Sequence, residues 1–286
     1  MKTLSRVYTC LIILLLYAPI LVMIALSFNG TGSISQMDNI SLKWYKELFS
    51  NSKVGEALRN TLILAVTSSL IATVLGTAAA VGISRMHKAW RSPVLTVTNI
   101  PMMNPDIVTA VSMLMFFVFV SSVLGTASRS FYTVLIAHVT FNLPYVVLSV
   151  MPKIRQMDKN LPEAARDLGC TPLQSFFLVE LPAILPGVLS GMLMAFTLSL
   201  DDFIITQFTK GEGFYTLPTY IYAMTKKRVT PDVYALSSLI FVVILILMLA
   251  SNIIQARMEA KNDPLAQKKK SRQNRKKVMQ KEEGRA

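Results

Sequence analysis

Residues Asn160–Pro186 read NLPEAARDLGCTPLQSFFLVELPAILP, and this stretch stands apart from its surroundings. It lies between two long apolar runs, yet it is too polar to span a membrane itself. Its punctuation predicts two short helices. Asn160 is placed to N-cap the first, with Pro162 in the opening turn and Glu163 at the third position. Gly169 is a helix stop. Thr171 and Gln174 stand in capping-box spacing and restart a helix. Pro182 and Pro186 are expected to break or kink the helix beyond them. Caps alone do not separate a built surface from an ordinary amphipathic loop; the remainder of the chain has to do that.

The chain has 286 residues, 52% apolar and only 16% charged. Soluble domains carry about a quarter charged residues, so this balance predicts an all-α polytopic membrane protein. Cys10 and Cys170 lie far apart and make neither a disulfide framework nor a metal-ligand spacing. His87 and His138 are isolated, and the sequence offers no metal site.

Six uncharged runs are long enough to cross the hydrocarbon, which takes about 20 helical residues. The first lies between Arg6 and Asp38, with its core at Val7–Phe28; it is too long for a signal-peptide core and no A-x-A site comes after it. The second lies between Arg59 and Arg85. The third starts after Arg91 and runs to about Val120, interrupted by Asn104-Pro105-Asp106. The fourth lies between Arg129 and Lys153. The fifth runs from Glu180 to about Phe208, interrupted by Asp201-Asp202, and the sixth lies between Asp232 and Arg257.

Lys and Arg counts set the orientation. With the N-terminus inside, inside segments hold 20 of the 29 basic residues, eleven of them after the sixth run. Both termini are then expected in the cytoplasm, and Asn160–Pro186 becomes part of a cytoplasmic loop. We divide the chain into a six-span domain, residues 1–260, with this loop at 153–181, and a basic tail, residues 261–286. The tail is poor in apolar residues and is read as a disordered segment near anionic lipid. It lacks the interleaved aromatics of a nucleic-acid binder. Trp44-Tyr45, in the largest outside loop, suits an interfacial anchor.

No G-x-x-x-x-G-K-[ST], G-x-S-x-G or H-E-x-x-H occurs. No catalytic residue and no cofactor site is expected, and any ATPase belongs to another chain. The strongest site signal is three carboxylates in the apolar runs: Asp106 roughly midway through the third, and Asp201-Asp202 toward the outer half of the fifth. An ionisable group at membrane depth costs about 2.5 kcal/mol or more, so it tends to face a cavity. Asn104-Pro105 opens the helix and frees carbonyls that a cavity can use. With no Lys or Arg in the runs, these groups make an acidic path for cations. The plainer reading, in which the fifth run ends near Leu200 and its aspartates are solvated, stays open. His138 is read as a hydrogen-bonded packing residue. Phe203, Phe208, Phe214, Tyr215 and Tyr220 are candidates for cation–π contacts, though plain packing explains them as well. Gly187 and Gly191, like Gly76 and Ala80, have the spacing of close helix packing.

Glu163-Ala164-Ala165, three residues, Gly169, nine residues, Val179, one residue and Leu181-Pro182 closely resemble the EAA loop of ABC-importer permeases, E-A-A-x3-G-x9-I-x-L-P. Val179 for Ile is the one departure. The resemblance implies a type I permease fold with coupling helices that dock into a cytoplasmic ATPase, carried here by Glu163, Ala164, Ala165, Gly169, Leu181 and Pro182. Further stretches narrow it: Asn104–Val108, His138–Pro144, Glu163–Gly169, Phe196–Phe203, Leu217-Pro218 with Ile221-Tyr222, and Leu42–Tyr45. They are similar to PotC-type permeases of spermidine/putrescine importers, from the first run to the sixth and excluding the tail.

The resemblance implies a bacterial cytoplasmic membrane, a second, PotB-type permease subunit, an ATPase dimer and an extracytoplasmic polyamine-binding protein. It also implies a substrate path at Asn104, Asp106, Asp201 and Asp202 and transport by alternating access. A permease for thiamine, ferric iron or an opine is the runner-up. A stand-alone cation channel or secondary carrier is a further possibility, though the two interrupted runs do not repeat one another. A membrane scaffold that uses the loop only for docking is the last.

Overall fold

The computed structural model describes residues 2–30, 39–125, 130–158, 160–226 and 231–262. Among the described residues the regular structure is helical, joined by short connections, with a single antiparallel bridge between Asn29 and Ile40. The helices are α1 (Lys2–Ser27), α2 (Lys43–Ser50), α3 (Ser52–Arg85), α4 (Lys88–Met103), α5 (Asp106–Leu124) and α6 (Phe131–Gln156). They continue with α7 (Leu161–Asp167), α8 (Pro172–Ser175), a π turn (Phe176–Glu180), α9 (Leu181–Asp201), α10 (Ile204–Thr209), α11 (Leu217–Thr225) and α12 (Pro231–Asn262). Six segments are long and apolar enough to cross a membrane: Arg6–Ser27, Ser52–Arg85, Asp106–Val123, Phe131–Gln156, Pro172–Asp201 and Val233–Ile254. The six expected spans are therefore present. Some hydroxyls within them bond back to their own helix, as in Thr61 to the Ala57 carbonyl and Thr73 to that of Ser69. The expectation of a basic tail lies almost wholly outside the described residues.

The helices form two compact units, and α3, α6, α9 and α12 contribute to both. In one unit, drawn from Met1–Val66, Pro105–Ala137 and Leu200–Ile246, α2 is moored by its aromatics. Trp44 Nε1–H donates to the Asn29 carbonyl at 2.8 Å, and the Tyr45 hydroxyl bonds those of Ser27 (2.7 Å) and Ser238 (3.0 Å). The pair thus sits on a short helix and is tied to α1 and α12 by specific bonds. Leu48, Ala57, Leu217, Leu236 and Ile240 form the core here.

The second unit, Thr67–Asn104, His138–Ser199 and Leu247–Ala286, packs around α6. Its core includes Ala72, Ala80, Val146, Val147, Val150, Ile184 and Ala195. Small residues set the spacing, as the sequence predicts. A Cβ on Gly76 would stand 2.7 Å from Val146 Cβ, and one on Gly191 would stand 3.1 Å from Val146 Cα. Two glycines on α3 and α9 therefore admit one valine of α6. We expect Gly76→Ala to destabilise by about 1–3 kcal/mol through overpacking. Gly82→Ala, on the same helix with nothing within 4 Å, should be neutral or slightly stabilising. Thermal unfolding of the purified variants in detergent checks the contrast; equal shifts would reject it.

Three expectations need correction. Asp106 is not midway through a span: the third run is two helices, and Asp106 is the first residue of α5. The cause is Pro105, which pushes Asn104 into extended backbone (φ −78°, ψ 142°) and ends α4. Asn160 precedes α7 but its side chain makes no cap bond; it is helical itself (φ −81°, ψ −16°), and its N–H is taken by Asp158 Oδ1. Pro182 and Pro186 do not break the chain. Pro182 has no N–H to give within this run, and the chain accommodates it one turn earlier in the π turn, in which Leu181 N–H reaches the Phe176 carbonyl. The second predicted helix is thus a single turn that runs straight into α9.

Candidate coupling loop and acidic path

The loop between α6 and α9 is built as its caps require. At the end of α7, Gly169 takes φ +91°. Its N–H bonds the Arg166 carbonyl (2.9 Å) and the Cys170 N–H bonds that of Ala165 (3.1 Å), which is a complete Schellman motif. The chain then turns directly into Thr171, whose Oγ1 accepts the Gln174 N–H while Gln174 Oε1 accepts the Thr171 N–H at 2.9 Å. The Ser175 hydroxyl donates to the Pro162 carbonyl at 3.3 Å and fastens α8 to α7.

This construction sorts the loop residues expected to couple. Ala165 is buried. Glu163, Ala164, Gly169 and Pro182 are exposed, and Leu181 is half-buried. Leu168 (87% exposed), Leu173, Phe177 and Leu178 also face outward. These apolar side chains are displayed on the braced turns and at the start of the run into α9. Sequence reading missed these four, because helix type and facing of so short a segment are set by the turns rather than by periodicity.

A charged tie also went unforeseen. Arg85, at the end of α3, donates from Nη2 to both Glu180 oxygens at 2.8 and 2.7 Å; the carboxylate is 7% exposed and the guanidinium half-exposed. The available signal was that each charge terminates an apolar run on the same side of the charge count. The pair fixes the start of α9 against α3. Along α6, His138 is fully buried and its Nδ1 lies 2.7 Å from Ser199 Oγ, itself 2.9 Å from Ser68 Oγ. This is the packing role expected of it.

The aspartates have different surroundings. α9 ends at Asp201, whose side chain is exposed. Asp202 is committed: its Oδ1 accepts the Ile205 N–H (3.2 Å), and its Oδ2 accepts both the Thr206 N–H (2.7 Å) and the Thr206 hydroxyl (2.8 Å). It is the cap of α10. That short helix packs on α5, and the Thr209 carbonyl accepts from Thr133 Oγ1 of α6 at 2.9 Å. Asp106, exposed at the first position of α5, therefore starts the very helix on which the Asp202-capped turn rests. Asn104 is exposed and belongs to the other unit.

Of the aromatic candidates, Phe203 pairs with Tyr222 (centroids 4.7 Å apart), Tyr215 with Tyr220 (6.2 Å) and Phe214 with Phe131 (5.9 Å). Two of these rings already carry a cation. Lys226 Nζ stands 4.8 Å from the Tyr222 centroid and Lys210 Nζ 3.9 Å from that of Tyr215. Burial pushes the Lys210 ammonium below the ordinary lysine range. Tyr222, beside Phe203, is a ring that sequence reading did not single out for a cation. Nearby, Glu56, Asn60, Tyr215 and Tyr220 line a cavity of ≈ 440 Å³.

A family model described as "Binding-protein-dependent transport system inner membrane component" matches residues 72–263. The chain belongs to this family. The permease is 37% identical over 227 residues, 79% of its length, to the "Putrescine transport system permease protein PotI" of Escherichia coli K12, covering 81% of that protein. It is 35% identical over 239 residues, 84% of its length, to the "Spermidine/putrescine transport system permease protein PotC" of the same strain, covering 89% of it. The Haemophilus influenzae PotC protein is 36% identical over 239 residues, with 84% of this chain and 91% of that one covered.

Among solved structures, a bacterial ABC transporter involved in alginate import superposes with TM-score 0.66 over 90% of this chain and 95% of that one, at 19% identity. The MetNI methionine ABC transporter superposes with TM-score 0.56 over 71% and 94%, at 20% identity. At these identities the match speaks for the fold, an ABC-transporter permease fold of the type expected. The permease is thus a multi-pass inner-membrane transport component.

Proposed function

We propose that the permease carries polyamines into the cytoplasm as one membrane subunit of an ATP-driven importer. One observation carries this reading: relatives sharing 35–37% identity across about four-fifths of the chain are named as putrescine or spermidine/putrescine permeases. The local chemistry agrees with a polycationic cargo. Exposed carboxylates at Asp201 and Asp106 belong to the same compact unit. Two residues beyond Asp201, Phe203 adds an aromatic ring, and rings of this kind attract ammonium groups. No Lys or Arg occupies the apolar stretches Val7–Ser27, Thr61–Ser84, Asp106–Val123, Phe131–Pro152, Leu181–Asp201 and Val233–Ile254. Weak, repeated contacts of this kind suit a path that must also release its cargo.

Three further parts of the reading concern partners and orientation. Both termini and the α7–α8 loop lie in the cytoplasm, by the Lys and Arg bias. The exposed Leu168, Leu173, Phe177 and Leu178, with Glu163 and Ala164, receive a separate ATPase chain. A PotB-type permease completes the pore, and a binding protein delivers cargo from outside. ATP-driven closure of the ATPase pair pushes on α7. Because α8, the π turn and α9 form one continuous run from Pro172 to Asp201, that push reaches the residue that ends α9. The π turn gives the run its point of flexure.

The test is uptake of labelled putrescine and spermidine in cells deleted for this gene and then restored. Loss on deletion and recovery on restoration, with unlabelled polyamines competing and thiamine not, is the expected outcome. Unchanged polyamine uptake after deletion would sink the assignment.

A further inference from the structure

A basic cavity opens beside the coupling loop and shares Glu163 with it. It measures ≈ 680 Å³ and is lined by Arg85, Arg91, Arg155 and Arg166, together with Glu163 and Glu180. Glu180 is already held by Arg85. Three guanidiniums therefore face one remaining carboxylate. Among the described residues, the only side-chain partner of Arg91 is the Met151 thioether, at 3.7 Å from Nη2. Sulfur is a weak acceptor, standing where an oxyanion would be a strong one. The Arg155 and Arg166 guanidiniums make no side-chain hydrogen bond among the described residues.

The cavity does not end at the arginines. Arg155 also lines a second hollow of ≈ 330 Å³, walled by Leu95, Leu148, Met151 and Pro152, with Asn99 at its wall. The two hollows meet at Arg155, and Met151, which touches Arg91, belongs to the second. Leu95 and Asn99 come after Arg91 at successive turns of α4, while Met151 and Leu148 precede Arg155 on α6. A charged head and an apolar strip thus run together along two helices.

We propose that this composite hollow binds an anionic phospholipid, with its phosphodiester on Arg91 and Arg155 and an acyl chain along Leu95, Leu148 and Met151. Arginine forks match phosphate oxygens in pairs, and basic pockets between membrane helices on the cytoplasmic side take such headgroups. The apolar extension favours a lipid over a soluble phosphate. Arg166 and Glu163 lie on α7, so the bound headgroup also touches the coupling loop. The inference needs only that these helices cross a membrane, and it stands apart from the identity of the cargo.

The experiment titrates the full-length permease, purified in detergent with its copurifying chains, with dioleoyl phosphatidylglycerol and dioleoyl phosphatidylcholine, read by native mass spectrometry. Phosphatidylglycerol should bind at least about tenfold tighter. Arg91→Gln with Arg155→Gln should abolish that preference, while Arg91→Lys with Arg155→Lys keeps most of it, which separates lost charge from lost fold. Leu148→Trp, which fills the groove, should weaken phosphatidylglycerol as well. Equal phosphatidylglycerol affinity in the native protein and the double Gln variant overturns the site. Displacement of the lipid by millimolar inorganic phosphate makes it a phosphate site instead. Loss of a copurifying chain in the double Gln variant, with lipid binding unchanged, makes the cavity a protein contact.

Discussion

Asp201→Asn should cut polyamine uptake by about tenfold or more at normal membrane levels of the permease. The carboxylate is exposed at the last residue of α9, so its charge is free to act on a passing cation. At an effective dielectric near 20, one unit charge about 4 Å from an ammonium contributes about 4 kcal/mol before desolvation, and about 1.4 kcal/mol surviving as net attraction already gives tenfold. Asp202→Asn should behave differently. Its Oδ2 holds the Thr206 N–H and hydroxyl, which an Asn amide oxygen still accepts, and only the longer bond from the Ile205 N–H is lost. Uptake within about threefold of native is expected there. Asp202→Ala, which removes the cap, should lower stability by about 1 kcal/mol and shift the unfolding transition of the purified protein. Uptake rates for the two Asn variants, normalised to the permease found in the membrane, check the contrast. Equal losses, or none, would reject the division of labour between the neighbours.

Gly169→Val should uncouple transport from ATP. The residue sits at φ +91°, which a β-branched side chain adopts only as an outlier, and it closes both bonds of the turn after α7. A left-handed conformation costs a residue with a Cβ roughly 1–2 kcal/mol, enough to lower the population of the braced loop about 5–30-fold. Space is not the issue, since nothing lies within 4 Å of the position a Cβ would take. Gly169→Asn should therefore recover much of the loss, because Asn tolerates this conformation. Uptake by the two variants, together with ATP hydrolysis stimulated by loaded binding protein, is the measurement. Full activity in Gly169→Val would show that the turn is not needed.

The coupling loop was largely legible in the sequence because its signals are local. Gly169, Thr171 and Gln174 act on backbone groups within five residues, so spacing alone foretells the Schellman motif and the capping box. Asn160 failed for the same kind of reason in reverse. Several residue types can occupy a cap position, and whether the side chain is used depends on the backbone there, which at Asn160 is helical rather than extended. The π turn lay beyond local reading, since Pro182 announces a disturbance and only the built helix reveals where it is absorbed.

The three carboxylates of the apolar runs were legible as residues and illegible as a geometry. Counting residues puts Asp106 in mid-span because a count treats the run as one helix. The break at Asn104-Pro105 divides it and makes Asp106 an N-terminal residue, where its charge also complements the helix dipole. Adjacent aspartates look equivalent on paper, yet one caps a helix and the other does not.

The sequence by itself determined six membrane helices, a braced loop between the fourth and fifth spans, and the absence of any recognisable nucleotide-binding motif on this chain. These depend on apolar run length, on helix caps and on residue spacing, all of which act along the chain. The tertiary structure alone decided that Arg85 holds Glu180, that Val146 rests between Gly76 and Gly191, that Asp202 is bound while Asp201 is exposed, and that Arg91 and Arg155 meet beside an apolar groove. Each of these joins residues on different helices or resolves neighbours by the direction of a side chain. Such pairings arise from how helices rotate and approach when packed, and no period or motif within one helix encodes that rotation.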